Sequence, residues 1–180
     1  MATTTTRLTI DDFEQLPEEL AHNHELIDGE LIDVSGNTPR NNSIRDWLVQ
    51  TLAPFVREHQ LGFVISEQEY DFDGNAHGPD VTFIRTEKLP LLNPDKRVQR
   101  FVPDLAIEVV SPNDLFNDIM RKKGRYRRCG TAEVWILSPE SREVYAYTER
   151  GDRILREDAE LSSEILPGFR LLVKSLFETD

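Results

Sequence analysis

The sequence predicts an α/β or α+β fold, a mixed central β-sheet flanked by helices, with an N-terminal helix and hairpin, as a single domain over 1–180. Three observations carry this. The stretch 103–112 (PDLAIEVVSP) is apolar and bounded by two prolines, as suits a central strand buried on both faces. Segments 43–60 and 113–128 repeat apolar residues at helical spacing. Arms that alternate in polarity flank Asp28-Gly29, and an apolar strand at 132–137 is followed by an alternating hairpin partner at 143–148.

In order, residues 1–8 begin with a threonine run and are expected to be flexible. Thr9 caps a short helix with acidic residues in its first turn. Ile10, Phe13 and Leu16 share a face, and Pro17 ends or restarts the helix. Asp28-Gly29 between 25–27 and 30–34 marks a type I′ hairpin, because both turn positions need positive φ. In 43–60, Ile44, Trp47, Leu48, Leu52, Phe55 and Val56 form one face, with Pro54 expected to kink the helix. Residues 61–72 read as one strand, 73–75 as a turn and 79–84 as the antiparallel partner. The segment 85–102 has no period and reads as a long loop. Asn113 is expected to cap the helix that Cys129-Gly130 stops. Small strands and a closing helical turn fill 153–177.

The totals bound the function. With 38% hydrophobic and 30% charged residues the composition is that of a globular protein. The single cysteine, Cys129, excludes an internal disulfide and a Cys-based zinc site. A reducing, cytoplasmic setting fits; no signal peptide or membrane-length apolar run is read. A net charge of −12 opposes non-specific binding to polyanions but leaves room for a local basic groove.

The central stretch contains an anomaly. As a strand it sends Leu105, Ile107 and Val109 to one face and Asp104, Ala106, Glu108 and Val110 to the other. Glu108 therefore needs a cationic side chain or a metal ion as partner, because an unpaired buried charge is very costly. On the next helix Leu115, Ile119, Tyr126 and Cys129 form a stripe, and Lys122 falls in its middle, while Arg121, Arg125 and Arg128 point elsewhere. Lys122 either meets Glu108 or pairs with Asp118 one turn earlier. Asp80, after Gly78-Pro79, is either a strand-start turn residue or a carboxylate aimed into a cleft. Together, Asp80, Glu108 and Lys122 suit phosphodiester hydrolysis. Asp80, Glu108 and the Val109 backbone carbonyl could hold Mg²⁺, which prefers oxygen donors and keeps several waters. Lys122 would orient water or stabilise developing charge.

Gly-Pro-Asp80, the 103–112 stretch, Lys122-x-x-x-Tyr126-x-x-x-Gly130, Glu133-Val-Trp-Ile-Leu-Ser-Pro139, Thr9-x-x-Asp-Phe, Glu25-Leu-Ile-Asp-Gly-Glu30-Leu and Leu166-Pro-Gly-Phe169 occur in this order along nearly the whole chain. In this the sequence resembles the Uma-two family, assigned to the restriction-endonuclease-like PD-(D/E)xK fold. The resemblance implies a nuclease dependent on Mg²⁺ or Mn²⁺ and acting on DNA, with Asp80 and Glu108 as its acidic pair. Val110 stands where the motif's usual lysine would be, and Lys122 resembles the family's relocated one. Glu25 and Glu30 are either auxiliary acids or hairpin ion-pair partners. Asn41 stands where many members carry a histidine; it can hydrogen-bond but cannot serve as a general base.

Two further signals are weighed beside these. His22 and His24 read as a metal pair or, more simply, as solvated side chains. Arg121, Lys123 and Arg125 belong to a basic cluster that reads as a phosphate-contacting face or as cations complementing a helix C-terminus. A rival from another class keeps the fold without catalysis, as a DNA- or protein-interaction module, with a homodimer as one assembly. Convergence of Asp80, Glu108 and Lys122 separates the two.

Overall fold

Strand β8 (Leu105–Val109) occupies the middle of a six-stranded sheet, parallel to β9 (Glu133–Ser138) and antiparallel to β6 (Val81–Arg85). The sheet continues outward through β10 (Glu143–Thr148) and β11 (Gly151–Leu155) on one side and β3 (Gly62–Ser66) on the other. The computed structural model describes residues 7–34 and 37–178. The flexibility expected for 1–6 lies outside those residues, whereas the Leu8 amide donates to the Gly29 carbonyl at 2.9 Å.

The alternation in β8 divides the core as the sequence requires. Leu105, Ile107 and Val109 pack with Ile44, Leu48, Leu52 and Val56 of helix α3 (Pro39–Glu58) on one face. Ala106 and Val110 pack with Tyr126 of helix α4 (Phe116–Arg128) on the other. The sheet is thus sandwiched between the two long helices. Helix α3 starts earlier than the apolar spacing indicates, because Thr38 caps it through Asn41 N and Pro39 takes the first turn, where its missing N–H costs nothing. Pro54 lies inside this helix.

One mixed sheet is expected, and a second, five-stranded sheet accompanies it. Its order is β2 (Glu30–Asp33), β1 (His24–Ile27), β5 (Ala76–His77), β4 (Glu69–Asp71) and β7 (Val98–Gln99). Asp28 and Gly29 take φ of 50° and 84°, as the hairpin turn demands. A Cβ at Gly29 would lie 2.5 Å from Arg7 Cβ, a second reason for glycine there. The expected strand 61–72 is split: Glu67, at φ 53°, breaks it so that β3 joins the central sheet and β4 the second. The expected loop 85–102 contains a 3₁₀ segment (Thr86–Leu91) and β7. A third pair, β12 (Glu160–Ser162) with β13 (Arg170–Leu172), adds to the α3 side of the core. Near the N-terminus α1 (Ile10–Glu14) ends before Pro17, and α2 (Glu18–Ala21) follows it.

Two expectations about α4 are corrected. Its N-cap is Leu115 rather than Asn113, and it makes no side-chain cap bond. Leu115 is 67% exposed and lies outside the packing stripe, which is formed by Ile119, Lys122, Tyr126 and Cys129.

Candidate active site

Asp80 lies one step beyond the paired segment of β6. The register Val81↔Ile107, continued by one residue, sets Asp80 opposite Glu108. Directly opposed residues on antiparallel strands project to the same face, with Cβ atoms about 5 Å apart. The Val109 N–H donates to Asp80 Oδ2 at 2.7 Å and fixes that carboxylate at the end of β8. On the other side Tyr126 OH donates to Glu108 Oε1 at 2.6 Å. Among the described residues, Asp80 Oδ1 and Glu108 Oε2 accept no hydrogen bond.

The link Gly78-Pro79-Asp80 joins β5 of the second sheet to β6 of the central one, so the site sits where the two sheets meet. Across that junction Glu25 of β1 faces His77 of β5, the neighbour of the pair Leu26↔Ala76. Glu25 Oε1 accepts from Lys122 Nζ at 2.9 Å and from Gly78 N at 3.2 Å, and Oε2 meets His77 Nδ1 at 2.9 Å. Lys122 therefore faces inward, and its immediate partner is Glu25. Asp118 pairs instead with Arg121 at 3.3 Å, which removes the local-pair alternative.

Arg125 corrects an expectation. It does not point away but turns to the junction, donating to His77 Nε2 and to Asp28 Oδ1, each at 3.0 Å. Its spacing from Lys122 and Tyr126 puts three polar side chains of one helix face on the site. Arg121 remains exposed, and Lys123 lies 4.3 Å from the centroid of the Tyr147 ring. Glu30 is exposed at the hairpin, opposite Ile27. His24 Nδ1 contacts the His22 carbonyl at 2.9 Å, and no cluster of three or more His, Cys, Asp or Glu able to hold a metal occurs among the described residues.

Asn41 is buried at the first turn of α3. Its Nδ2 donates to Ser111 Oγ at 2.8 Å and to the Val109 carbonyl at 3.3 Å, tying the helix start to the end of β8. Arg45, one turn on, forms an ion pair with Glu67, whose amide donates to the Asp80 carbonyl at 3.2 Å. Arg45 and His77 were not legible as site residues. The one available signal for His77 was its place three residues before Asp80.

The electrostatics divide the carboxylates into two kinds. Burial pushes Glu108 up to about 8; Lys122 opposes that rise, while the charges of Asp80 and Glu25 add to it. Burial also pushes Asp80 up to about 6, although the Val109 amide, Lys122 and Arg45 favour its ionised form. Glu25 is equally removed from water, yet Lys122 and His77 outweigh its burial and hold it down at about 2. Lys122 is held above its ordinary range: burial works against its charge, but Glu108, Glu25 and Asp80 more than compensate. Burial, then the Glu108 charge, raises the Tyr126 hydroxyl well above its ordinary value.

These observations bear on a metal. Both oxygens of Glu25 already accept from donors, whereas among the described residues Asp80 and Glu108 each keep one oxygen without a donor, and both lack enough positive charge to ionise readily. Two hard carboxylates beside a backbone carbonyl match a cation that takes oxygen ligands and retains waters. The residues fit Mg²⁺ or Mn²⁺.

Residues 10–174 match the family model Uma2, described as "Putative restriction endonuclease". The chain belongs to the Uma2 family. Among solved structures, the crystal structure of a "putative nuclease belonging to DUF820" from Anabaena variabilis aligns with a TM-score of 0.84, covering 96% of this chain and 98% of that one at 21% identity. At that identity the likeness establishes the shared fold, a mixed sheet flanked by helices. A comparison with curated proteins finds no match. Uma2 membership agrees with the resemblance carried by Asp80, the 103–112 stretch and Lys122.

Proposed function

We propose that this Uma2 protein is an endonuclease that hydrolyses DNA phosphodiester bonds with Mg²⁺ or Mn²⁺ as its metal. The observation that carries the reading is the juxtaposition of Asp80, just before β6, and Glu108 of β8, each with an oxygen that accepts no hydrogen bond among the described residues, beside the inward ammonium of Lys122. The family description supports the nucleic-acid substrate.

Asp80, Glu108 and the Val109 carbonyl would hold the cation. When bound, it supplies Lewis-acid stabilisation of a phosphate oxygen and lowers the pKa of a coordinated water. Lys122 stays charged at neutral pH, so its role is to orient that water and offset charge on the phosphate rather than to take a proton. Its side chain is 21% exposed, so the ammonium remains within reach of a substrate. Tyr126 orients Glu108, and the Val109 amide orients Asp80. Asn41 donates both its amide protons to protein oxygens and braces Val109 and Ser111 instead of acting as a base.

The test is nicking of supercoiled plasmid in Mg²⁺ or Mn²⁺ by the wild type, Asp80→Asn, Glu108→Gln and Lys122→Ala. Cleavage is expected from the wild type and a loss of at least about 100-fold from each variant. Cleavage that survives all three substitutions, or none from the wild type with either metal, contradicts the reading; the second outcome favours a binding module on the same fold.

A further inference from the structure

The proposed reaction makes no direct use of His77, Arg125 or Glu25, yet these are the most tightly connected polar groups at the sheet junction. His77 is 1% exposed and has a partner on each ring nitrogen. The Arg125 guanidinium can only donate, so Nε2 must accept from it. The proton of the neutral ring therefore sits on Nδ1 and is donated to Glu25 Oε2. Arg125 is itself anchored by Asp28 at 3.0 Å. The order of donation is fixed: Arg125 to His77, His77 to Glu25, with Lys122 donating to the other Glu25 oxygen.

That order has a consequence for the neighbouring carboxylates. Lys122 stands one helical turn before Tyr126, whose hydroxyl holds Glu108, and Asp80 lies opposite Glu108, so the same helix face that brings Lys122 to Glu25 also brings it beside that pair. Released from Glu25, its ammonium would close on the two free oxygens that a cation needs. We infer that Arg125 and His77 are positioning residues: through Glu25 they hold Lys122 off the Asp80–Glu108 pair and keep that pair open to a divalent cation. The inference rests on the cation site proposed above and adds an assignment for three side chains outside it. His77 orients Glu25 as a partner in the outer shell of a metal site orients a ligand, but here the oriented group is the counter-ion of a competitor for the site.

The test measures Mn²⁺ binding by the loss of the free-ion electron paramagnetic resonance signal, which needs no turnover. The proteins are the wild type, His77→Ala, His77→Gln, His77→Asn and Lys122→Met, together with Lys122→Met combined with His77→Ala and with His77→Gln. Folding of each is checked by circular dichroism, and His77→Gln stands in if His77→Ala does not fold. Asparagine offers a donor near the Nδ1 position, whereas glutamine places its amide nearer Nε2. His77→Ala and His77→Gln are expected to weaken Mn²⁺ binding about tenfold, and His77→Asn to restore it to within about threefold of wild type. In the Lys122→Met background the His77 substitutions are expected to change binding less than about twofold, because the competitor is gone.

Equal weakening in both backgrounds, or unchanged binding in His77→Ala and His77→Gln, overturns the relay while leaving the cation site intact. No Mn²⁺ binding by the wild type overturns both. Binding that follows the expected pattern without DNA cleavage removes the nuclease reading and leaves the relay standing.

Discussion

Replacing Glu25 with glutamine removes the one buried carboxylate that Lys122 and His77 hold in its ionised form. The wild-type group moves from the ordinary 4.5 in the unfolded chain to about 2 in the folded one. A depressed carboxylate contributes stability that is complete above its unfolded value and is lost as pH falls through the folded value. The difference is worth about 3 kcal/mol at pH 7, from roughly 1.4 kcal/mol per pKa unit. Near pH 5 almost all of it remains, and by pH 3 less than about half does. The stability gap between wild type and Glu25→Gln, read from urea denaturation followed by circular dichroism, should therefore narrow by about 2 kcal/mol between pH 7 and pH 3. A gap that stays constant with pH, or a loss at pH 7 below about 0.5 kcal/mol, would refute the ion-pair arrangement around Glu25.

Three other outcomes follow from the same geometry. Asn41→Ala should cost about 1–3 kcal/mol in urea denaturation, since it strips the Val109 carbonyl and Ser111 hydroxyl of a buried donor; a change within about 0.5 kcal/mol would show that the brace is idle. Asp80 and Glu108, raised to about 6 and about 8, are stabilised by their protons, so the metal-free protein loses stability as pH climbs from the ordinary carboxylate range to about 8. Cation binding must expel those protons, so Mn²⁺ affinity measured calorimetrically should rise by about 100-fold from pH 6 to pH 8, and a flat profile would contradict the raised values.

How much of this could be read from the sequence depended on the range of the interactions. The two faces of β8 were legible because strand alternation is local, and Leu105, Ile107 and Val109 meet α3 as the pattern requires. Lys122 was legible because Ile119 and Tyr126 mark the inward face of its helix. The second sheet was not, because β4, β5 and β7 have three, two and two residues, too short to show a period. Glu25 and His77 depend on that sheet for their meeting, so their roles were hidden with it. The inward turn of Arg125 is hidden from the sequence for a related reason: its partners, His77 and Asp28, lie 48 and 97 residues away in the chain. The start of α3 was within reach, since Thr38-Pro39 is a cap followed by a proline at the first turn.

The central claim is that one divalent cation sits between Asp80 and Glu108. Anomalous diffraction from a crystal soaked in Mn²⁺ tests this most directly. A single strong peak is expected within coordination distance of the free oxygens of Asp80 and Glu108, with Lys122 still on Glu25. A peak on Glu25 and His77 instead, or no peak with the Lys122 ammonium closed onto Asp80 and Glu108, would contradict it.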